Sequence, residues 1–194
     1  IFGDEIKNNI EIEGKNILII GGGDTAMDCV RTALREGAKS AKVLYRRDEA
    51  NMPGSKKEVK NAKEEGAEFL FQTIPKSIKT DKDRNIIGLE YNKTVMGQKD
   101  KSGRQSCSII EDSTESLDAD IIIFSLGFDC EVPTFLRELN IELNNYGQIN
   151  VDKNYETNIK NVYAGGDCFR GANLVVNAAL DGREAAKAIS ERLL

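Results

Sequence analysis

Six residues, Gly21-Gly22-Gly23-Asp24-Thr25-Ala26, carry the spacing G-x-G-x-x-A directly after four consecutive aliphatic residues, Ile17–Ile20. In that arrangement Gly21 permits a tight turn and Gly23 lets the backbone approach a pyrophosphate. Ala26 is small enough for the following helix to pack close to a sheet. The pyrophosphate would rest on the helix N-terminus, where free N–H groups and the helix dipole favour an anion. The alternative is a glycine turn with a purely structural role. A buried strand before the fingerprint and a helix after it favour dinucleotide binding at Gly21, Gly22, Gly23, Asp24, Thr25 and Ala26.

The end of the next strand discriminates between dinucleotides. An acidic residue there accepts hydrogen bonds from ribose hydroxyls, whereas arginine pairs with the 2′-phosphate of NADP. Twenty residues after Ala26 the chain reads Tyr45-Arg46-Arg47. A guanidinium offers two parallel hydrogen bonds to a phosphate and can stack on adenine. NADP is therefore the expected cofactor, with Arg46 foremost and Arg47 beside it; elsewhere in a chain such a pair would read as solvated surface.

Other chemistries are excluded by what the sequence lacks. Its 194 residues contain no histidine, which removes every mechanism built on an imidazole base. The four cysteines (Cys29, Cys107, Cys130, Cys168) form no C-x-x-C pair, so a thioredoxin-like pair, a zinc site and an iron–sulfur motif are not expected. Four reduced thiols suit a cytoplasmic protein. A net charge of −5 offers no footprint for nucleic acid or an anionic membrane. The longest nearly apolar run, Ala119–Phe128, is about half of what a membrane helix needs. Any redox chemistry must then be carried by a cofactor.

The elements that position these residues follow from periodicity. Ile17–Ile20 is a strand buried on both faces, and Ala26, Val30, Ala33 and Leu34 give the next helix its apolar face up to Gly37. Ala41–Tyr45 is a second strand. Ser55-Lys56-Lys57-Glu58 has the capping-box pattern for a helix ending at Gly66, and Glu68–Phe71 is a third strand. This β-α-β-α-β order predicts an α/β, Rossmann-like, doubly wound parallel sheet. From Lys76 to Ser116 helical periodicity vanishes, and short apolar pieces (Ile86–Tyr91, Ser108–Ile110) alternate with polar turns. An antiparallel β-excursion is expected there, before Asp120–Ser125 re-enters the parallel sheet. Beyond Leu126-Gly127-Phe128, a short helix is expected over Val132–Leu139 and a short strand over Gly147–Val151. Asn173–Leu194 should be mostly helical.

At the level of family, Gly14–Phe69 (GKNILIIGGGDTAMDCVRTALREGAKSAKVLYRRDEANMPGSKKEVKNAKEEGAEF) resembles the NADPH-binding domain of the glutamate synthase small-subunit family. That family extends to electron-input flavoproteins such as dihydropyrimidine dehydrogenase and ferredoxin–NADP transhydrogenase large subunits. The stretch YRRDEANMPGS is its most specific part. Asp120–Phe128 (DIIIFSLGF) resembles the crossing from the NADPH domain back to an FAD domain, and Val162–Asp167 (VYAGGD) resembles the C-terminal FAD motif. The resemblance implies FAD contacts at Gly127, Gly166 and Asp167, with Asp167 on the ribityl chain. It also implies that the helix after Gly171, opened by Asn173 and Leu174, points at the flavin edge, where a helix dipole stabilises the charge of reduced flavin.

The sequence also departs from that family. The main FAD fingerprint of the family precedes the NADPH domain, yet only thirteen residues precede Gly14, and no second G-x-G-x-x-G occurs. The expected organisation is an NADPH domain over 14–126, the C-terminal portion of an FAD domain over 127–194, and a connecting segment over 1–13. The second, FAD-type lobe would be incomplete, binding FAD only with an upstream segment or subunit. The expected function is electron input, NADPH passing hydride to FAD, with a large glutamate synthase-type subunit as one possible acceptor. The alternative is a nucleotide-binding interaction module without turnover. Apolar residues of the last segment (Val162, Leu174, Val175, Val176, Ala179, Leu180, Ile189, Leu193, Leu194) would lack a packing partner, so the chain is expected to form a homodimer through the incomplete lobe, exchange this segment with a neighbour, or leave it mobile.

Overall fold

The computed structural model describes residues 10–99 and 105–193. Residues 1–9 of the connecting segment 1–13, residues 100–104 within the expected polar turn Gln98–Gln105, and Leu194 therefore lie outside the described residues. The chain divides into two compact units, residues 1–126 and 127–194.

Unit 1 is built on four parallel strands: β1 (Asn16–Ile20), β2 (Ser40–Tyr45), β3 (Glu68–Phe71) and β8 (Ile121–Phe124), in the order β3-β2-β1-β8. Side chains alternate across a strand. Ile17, Ile19 and Val43 accordingly face helices α1 (Asp24–Arg35) and α2 (Lys56–Glu64), together with Met27, Val30, Val59 and Ala62. Leu18, Ile20 and Leu44 form a second core with Leu89, Tyr91 and Ala119 from the excursion. Both faces of β1 are thus covered, which is why its sequence is a continuous apolar run rather than an alternating one.

Both helices end as their glycines predict. Gly37 lies at φ 83°, with its N–H on the Leu34 carbonyl and that of Ala38 on the Ala33 carbonyl; Gly66 lies at φ 101° and closes α2 through Lys63 and Ala62 in the same way. The helix starts differ from expectation. Ser55 makes no side-chain cap, and Glu58 does not return to the Ser55 N–H. Instead Glu58 pairs with Arg31 of α1, which also bonds Glu65 at 2.9 Å. Arg35 reaches the same Glu65 at 2.7 Å. These two guanidiniums hold the Glu65 carboxyl down at about 2. A tertiary ion cluster has taken the residue that local capping would have used.

The excursion comprises β4 (Thr73–Thr80), β5 (Ile86–Lys99), β6 (Gln105–Ile109) and β7 (Glu115–Asp118). All of its pairings are antiparallel: β4 and β7 flank the first part of β5, and β6 pairs with its second part. It begins earlier than expected, at Thr73, and Ile86–Tyr91 proves to be less than half of a 14-residue strand. Polar spacing hides this length, because Asn92, Lys93 and Thr94 interrupt the apolar pattern.

Unit 2 has little regular structure before its last helix. It contains α3 (Thr134–Glu138), α4 (Asp167–Arg170) and α5 (Val175–Leu193). The expected strand over Gly147–Val151 does not form; that segment makes only an isolated bridge, Leu143 to Ile149. Among the described residues, no helix is long and apolar enough to cross a membrane.

What organises unit 2 is one carboxylate. Asp181 of α5 is fully buried. It accepts bonds from Arg170 Nε at 2.7 Å and Nη2 at 2.6 Å, from the Gly166 N–H at 3.0 Å and from the Tyr155 hydroxyl at 3.0 Å. The Arg170 guanidinium, with the Gly166 and Tyr155 bonds, holds its carboxyl down at about 2. An unfolded aspartate protonates near pH ~4, so its contribution is complete above that pH and is lost as pH falls towards ~2. Amide exchange across 164–182, followed from about pH 5 to about pH 2.5, should accelerate through that window. Asp181→Asn should exchange faster at neutral pH and show a flatter acid dependence. Parallel pH profiles for the two proteins would remove Asp181 from the acid response.

Candidate dinucleotide site

The fingerprint turn lies where the strand order reverses, between β1 and β8. This is the switch point at which open α/β sheets bind ligands, outside the carboxyl ends of their strands. Each glycine of the turn meets a different constraint. Gly21 is at φ 144°, and a Cβ there would lie 2.2 Å from the Ser125 carbonyl oxygen at the end of β8. A Cβ on Gly22 would lie 2.5 Å from the Tyr45 ring. Gly23 has nothing within 4 Å of that position. Two glycines are therefore required by the chain's own packing, and the third leaves open the surface that a ligand's phosphates would need.

Gly23 is also the N-cap of α1, and no side chain caps this helix. Ala26, fully buried, packs α1 onto the sheet. The Asp24 carboxylate is engaged elsewhere: its Oδ1 accepts the Ser55 N–H at 2.7 Å, while the Gly54 N–H donates to the Gly22 carbonyl at 2.9 Å. The loop before α2 is thereby fastened onto the glycine turn. Sequence reasoning missed this fastening; the Pro53-Gly54-Ser55 turn was its only local sign.

Arg46 and Arg47 follow β2, the neighbour of β1, and have different surroundings. Arg46 is exposed, whereas Arg47 is only 9% exposed. No ion pair among the described residues involves either arginine. Arg47 Nε is a buried donor without a hydrogen-bond partner among them. A buried cation without a counter-charge is costly, and such groups are normally paired. Asp48, the next residue, forms no ion pair with it among the described residues and turns its Oδ1 to the backbone N–H and Nδ2 of Asn51 at 3.0 and 2.7 Å. The donor set and the open Gly23 surface fit a dinucleotide bearing an extra phosphate.

The residues assigned to the second cofactor lie in unit 2. Gly127 is at φ 87° with open space around it. Gly166 is at φ 72°, and its N–H is held by Asp181. Asp167 is exposed, and its carboxylate makes no hydrogen bond or ion pair among the described residues. It borders a cavity of about 390 Å³ lined also by Phe128, Cys130, Val132, Leu136 and Cys168. Asn173 Oδ1 accepts the Leu174 N–H at 2.7 Å and Asn177 Nδ2 at 2.8 Å. The Leu174 N–H is thus already bonded within the chain. Leu174, Val175 and Val176 are 63%, 80% and 64% exposed. The structure brings Gly166 and Asp167 together on one turn and makes Asp181 the residue that fixes it. Asp181 was legible only as an acid set within a largely apolar first half of the last helix, with Val175–Leu180 before it.

The sequence profile of the pyridine nucleotide-disulphide oxidoreductase family matches residues 4–182. The chain belongs to that family. It is 42% identical over 184 residues to the glutamate synthase [NADPH] small chain of Escherichia coli, covering 93% of this chain and 39% of that relative. It is 46% identical to a putative glutamate synthase [NADPH] small chain of Cereibacter sphaeroides, covering 99% of this chain and 47% of the relative. The chain spans less than half the length of these relatives. Among solved structures, a thioredoxin reductase of T. acidophilum superposes with a TM-score of 0.71 over 94% of this chain and 54% of its own, at 20% identity. That likeness establishes a shared α/β fold with parallel and antiparallel sheets.

The contrast between neighbouring glycines gives a test. Gly23→Val should abolish dinucleotide binding, measured by calorimetry, while the melting temperature stays near wild type. Gly22→Ala should instead lower stability by about 1–3 kcal/mol, because the added carbon meets the Tyr45 ring. Retained binding in Gly23→Val would reduce the fingerprint to a structural turn.

Proposed function

We propose that this chain is an electron-input segment of an NADPH-dependent flavoprotein oxidoreductase of the glutamate synthase small-chain type. Unit 1 binds NADPH, and unit 2 contributes part of an FAD-binding surface. The observation that carries the reading is Arg47, 9% exposed, with its Nε buried and no carboxylate partner among the described residues, beside exposed Arg46 at the end of β2. An NADP 2′-phosphate supplies the missing charge in the bidentate form that arginine favours. Relatives at 42% and 46% identity carry NADPH in their names, which favours the same cofactor here.

In this reading the pyrophosphate lies along Gly21, Gly22, Gly23, Asp24, Thr25 and Ala26, over the uncapped start of α1. Arg46 and Arg47 take the 2′-phosphate. Gly127, Gly166, Asp167, Asn173 and Leu174 belong to the FAD surface, with the Asp167 carboxylate free to accept a hydroxyl hydrogen bond. The two cofactors supply hydride transfer between nicotinamide and flavin. The chain's own residues contribute positioning and electrostatics, and no side chain acts as acid or base. The onward acceptor is an iron–sulfur-bearing segment or a large glutamate synthase-type subunit, in a cytoplasmic setting.

Arg46→Ala should weaken NADPH binding by about 1.5–3 kcal/mol, the range for hydrogen bonds to charged groups, and leave NADH binding nearly unchanged. Calorimetric titration with both cofactors measures this, and equal losses for the two would exclude the 2′-phosphate role.

The flavin half has its own test. Without a second glycine fingerprint, the 194 residues alone should bind NADPH, retain no flavin on desalting and fail to reduce a dye with added FAD. Supplying the remaining FAD-binding portion should restore both properties. A yellow, dye-reducing preparation of this chain alone would mean that its FAD surface is sufficient. Colourless protein inactive even with the remainder supplied would favour a binding module without turnover.

A further inference from the structure

We infer that Thr94, far from the fingerprint and on the antiparallel excursion, is a positioning residue that sets the preference of the Arg46–Arg47 pair for a phosphorylated ribose. The inference rests on reading that pair as the 2′-phosphate site, and it concerns what holds the pair in place.

Strand β2 ends at Tyr45, so the two arginines follow its last residue. Their carbonyl groups are nevertheless held. The Thr94 hydroxyl donates to the Arg46 carbonyl at 2.7 Å, and the Gln72 N–H donates to the Arg47 carbonyl at 3.0 Å. These two donors are tied to each other. The Thr94 N–H donates to the Gln72 carbonyl at 2.7 Å, and Gln72 Nε2 donates to the Thr94 carbonyl at 3.3 Å. The result is a closed clamp of four hydrogen bonds around the backbone of the arginine pair.

The excursion is shaped to deliver this clamp. Gln72 is the single residue between β3 and β4 and sits at φ 53°, in the left-handed region that a glutamine seldom occupies. Along β5 the buried side chains are those of Leu89, Tyr91 and then Thr94, Gly88 having none, so the inward parity changes from odd to even at this residue. Thr94 is also where pairing changes hands: Lys93 closes the register with β4, and Thr94 opens that with β6. Its side chain is 3% exposed, and its hydroxyl is spent on Arg46. Beyond the clamp, Asn51 Nδ2 donates to Gln105 of β6 at 3.0 Å, and the Tyr45 hydroxyl donates to the Asn51 carbonyl at 2.7 Å. The loop carrying the arginines is therefore fastened to the excursion at a second place.

An arginine has a long, rotamer-rich side chain, and a fixed backbone restricts where its guanidinium can reach. Preorganisation of this kind lowers the ordering cost of binding. It serves only the ligand group that the arginines touch, so the signature of the clamp is selective. Releasing it should weaken ligands with a 2′-phosphate and spare those without one.

The probes are 2′,5′-ADP and 5′-AMP, titrated calorimetrically into the full 194-residue chain. Thr94→Ala and Thr94→Val both remove the hydroxyl, the first without adding a methyl group against the Arg46 carbonyl. Each should lower affinity for 2′,5′-ADP about three- to tenfold, the worth of one ordinary hydrogen bond, with 5′-AMP unchanged. Thr94→Ser should restore the wild-type ratio. In an Arg46→Ala, Arg47→Ala background, Thr94→Ala should change the ratio no further, because the clamp then has nothing to position. Equal loss for both nucleotides, no loss for either, or a serine variant that behaves like alanine would overturn the positioning role while leaving the arginine reading intact. An unchanged ratio in the double arginine variant alone would instead overturn that reading, and this inference with it.

Discussion

The rest of unit 1 depends on the close approach of the Gly21 backbone to the end of β8. A side chain at Gly21 would meet the Ser125 carbonyl at 2.2 Å, so only glycine allows β1 to turn there while β8 lies directly alongside. The Ser125 N–H donates to the Ile20 carbonyl at 2.8 Å, and the Gly21 N–H donates to the Leu44 carbonyl at 3.1 Å. These bonds tie the turn to both neighbouring strands at the point where the strand order reverses. From there α1 starts at an uncapped N-terminus above the sheet, and the open surface at Gly23 follows from the sheet's own connectivity.

The same sheet distributes the remaining tasks between its faces. The helices cover the side bearing Ile17, Ile19 and Val43, and the antiparallel excursion covers the side bearing Leu18, Ile20 and Leu44. The excursion does more than cover apolar surface. Through Gln72, Thr94 and Gln105 it holds the chain that carries Arg46 and Arg47, while Asp24 and Gly22 hold the loop before α2. A buried, unpaired guanidinium is unfavourable by itself. Arg47, which has no ion-pair partner among the described residues, sits on backbone that this network holds.

Unit 2 reaches its geometry by another route. With only isolated bridges among its described residues to order it, the Gly165-Gly166-Asp167 turn is set by the buried Asp181 carboxylate, whose partners are Tyr155 from the preceding loop and Gly166 and Arg170 from the two ends of α4. Gly165 must be small because a Cβ there would lie 2.9 Å from the Asp181 side chain. One carboxylate thus joins the loop, the short helix α4 and the long helix α5, and the Asp167 carboxylate is left without a partner among the described residues.

Features carried by local spacing were legible in the sequence. The aliphatic run Ile17–Ile20, the fingerprint Gly21–Ala26, the helix stops at Gly37 and Gly66 and the arginines after Tyr45 each declare themselves within a few residues, because turn geometry and burial period are local properties. The class of the sheet was legible too, since the β-α-β-α-β order leaves few topologies. What depended on contacts between distant residues was not legible. The capping box at Ser55 failed because Arg31, 27 residues earlier than Glu58, claims that carboxylate. The strand over Gly147–Val151 failed because nothing continuous pairs with it. Gly22 reads like Gly23 in the sequence, and only the Tyr45 ring lying against it separates a packing glycine from one facing open space. The burial of Arg47, the clamp from Thr94 and the fourfold coordination of Asp181 were decided by tertiary structure alone, because each joins groups whose separation in the chain carries no period or motif.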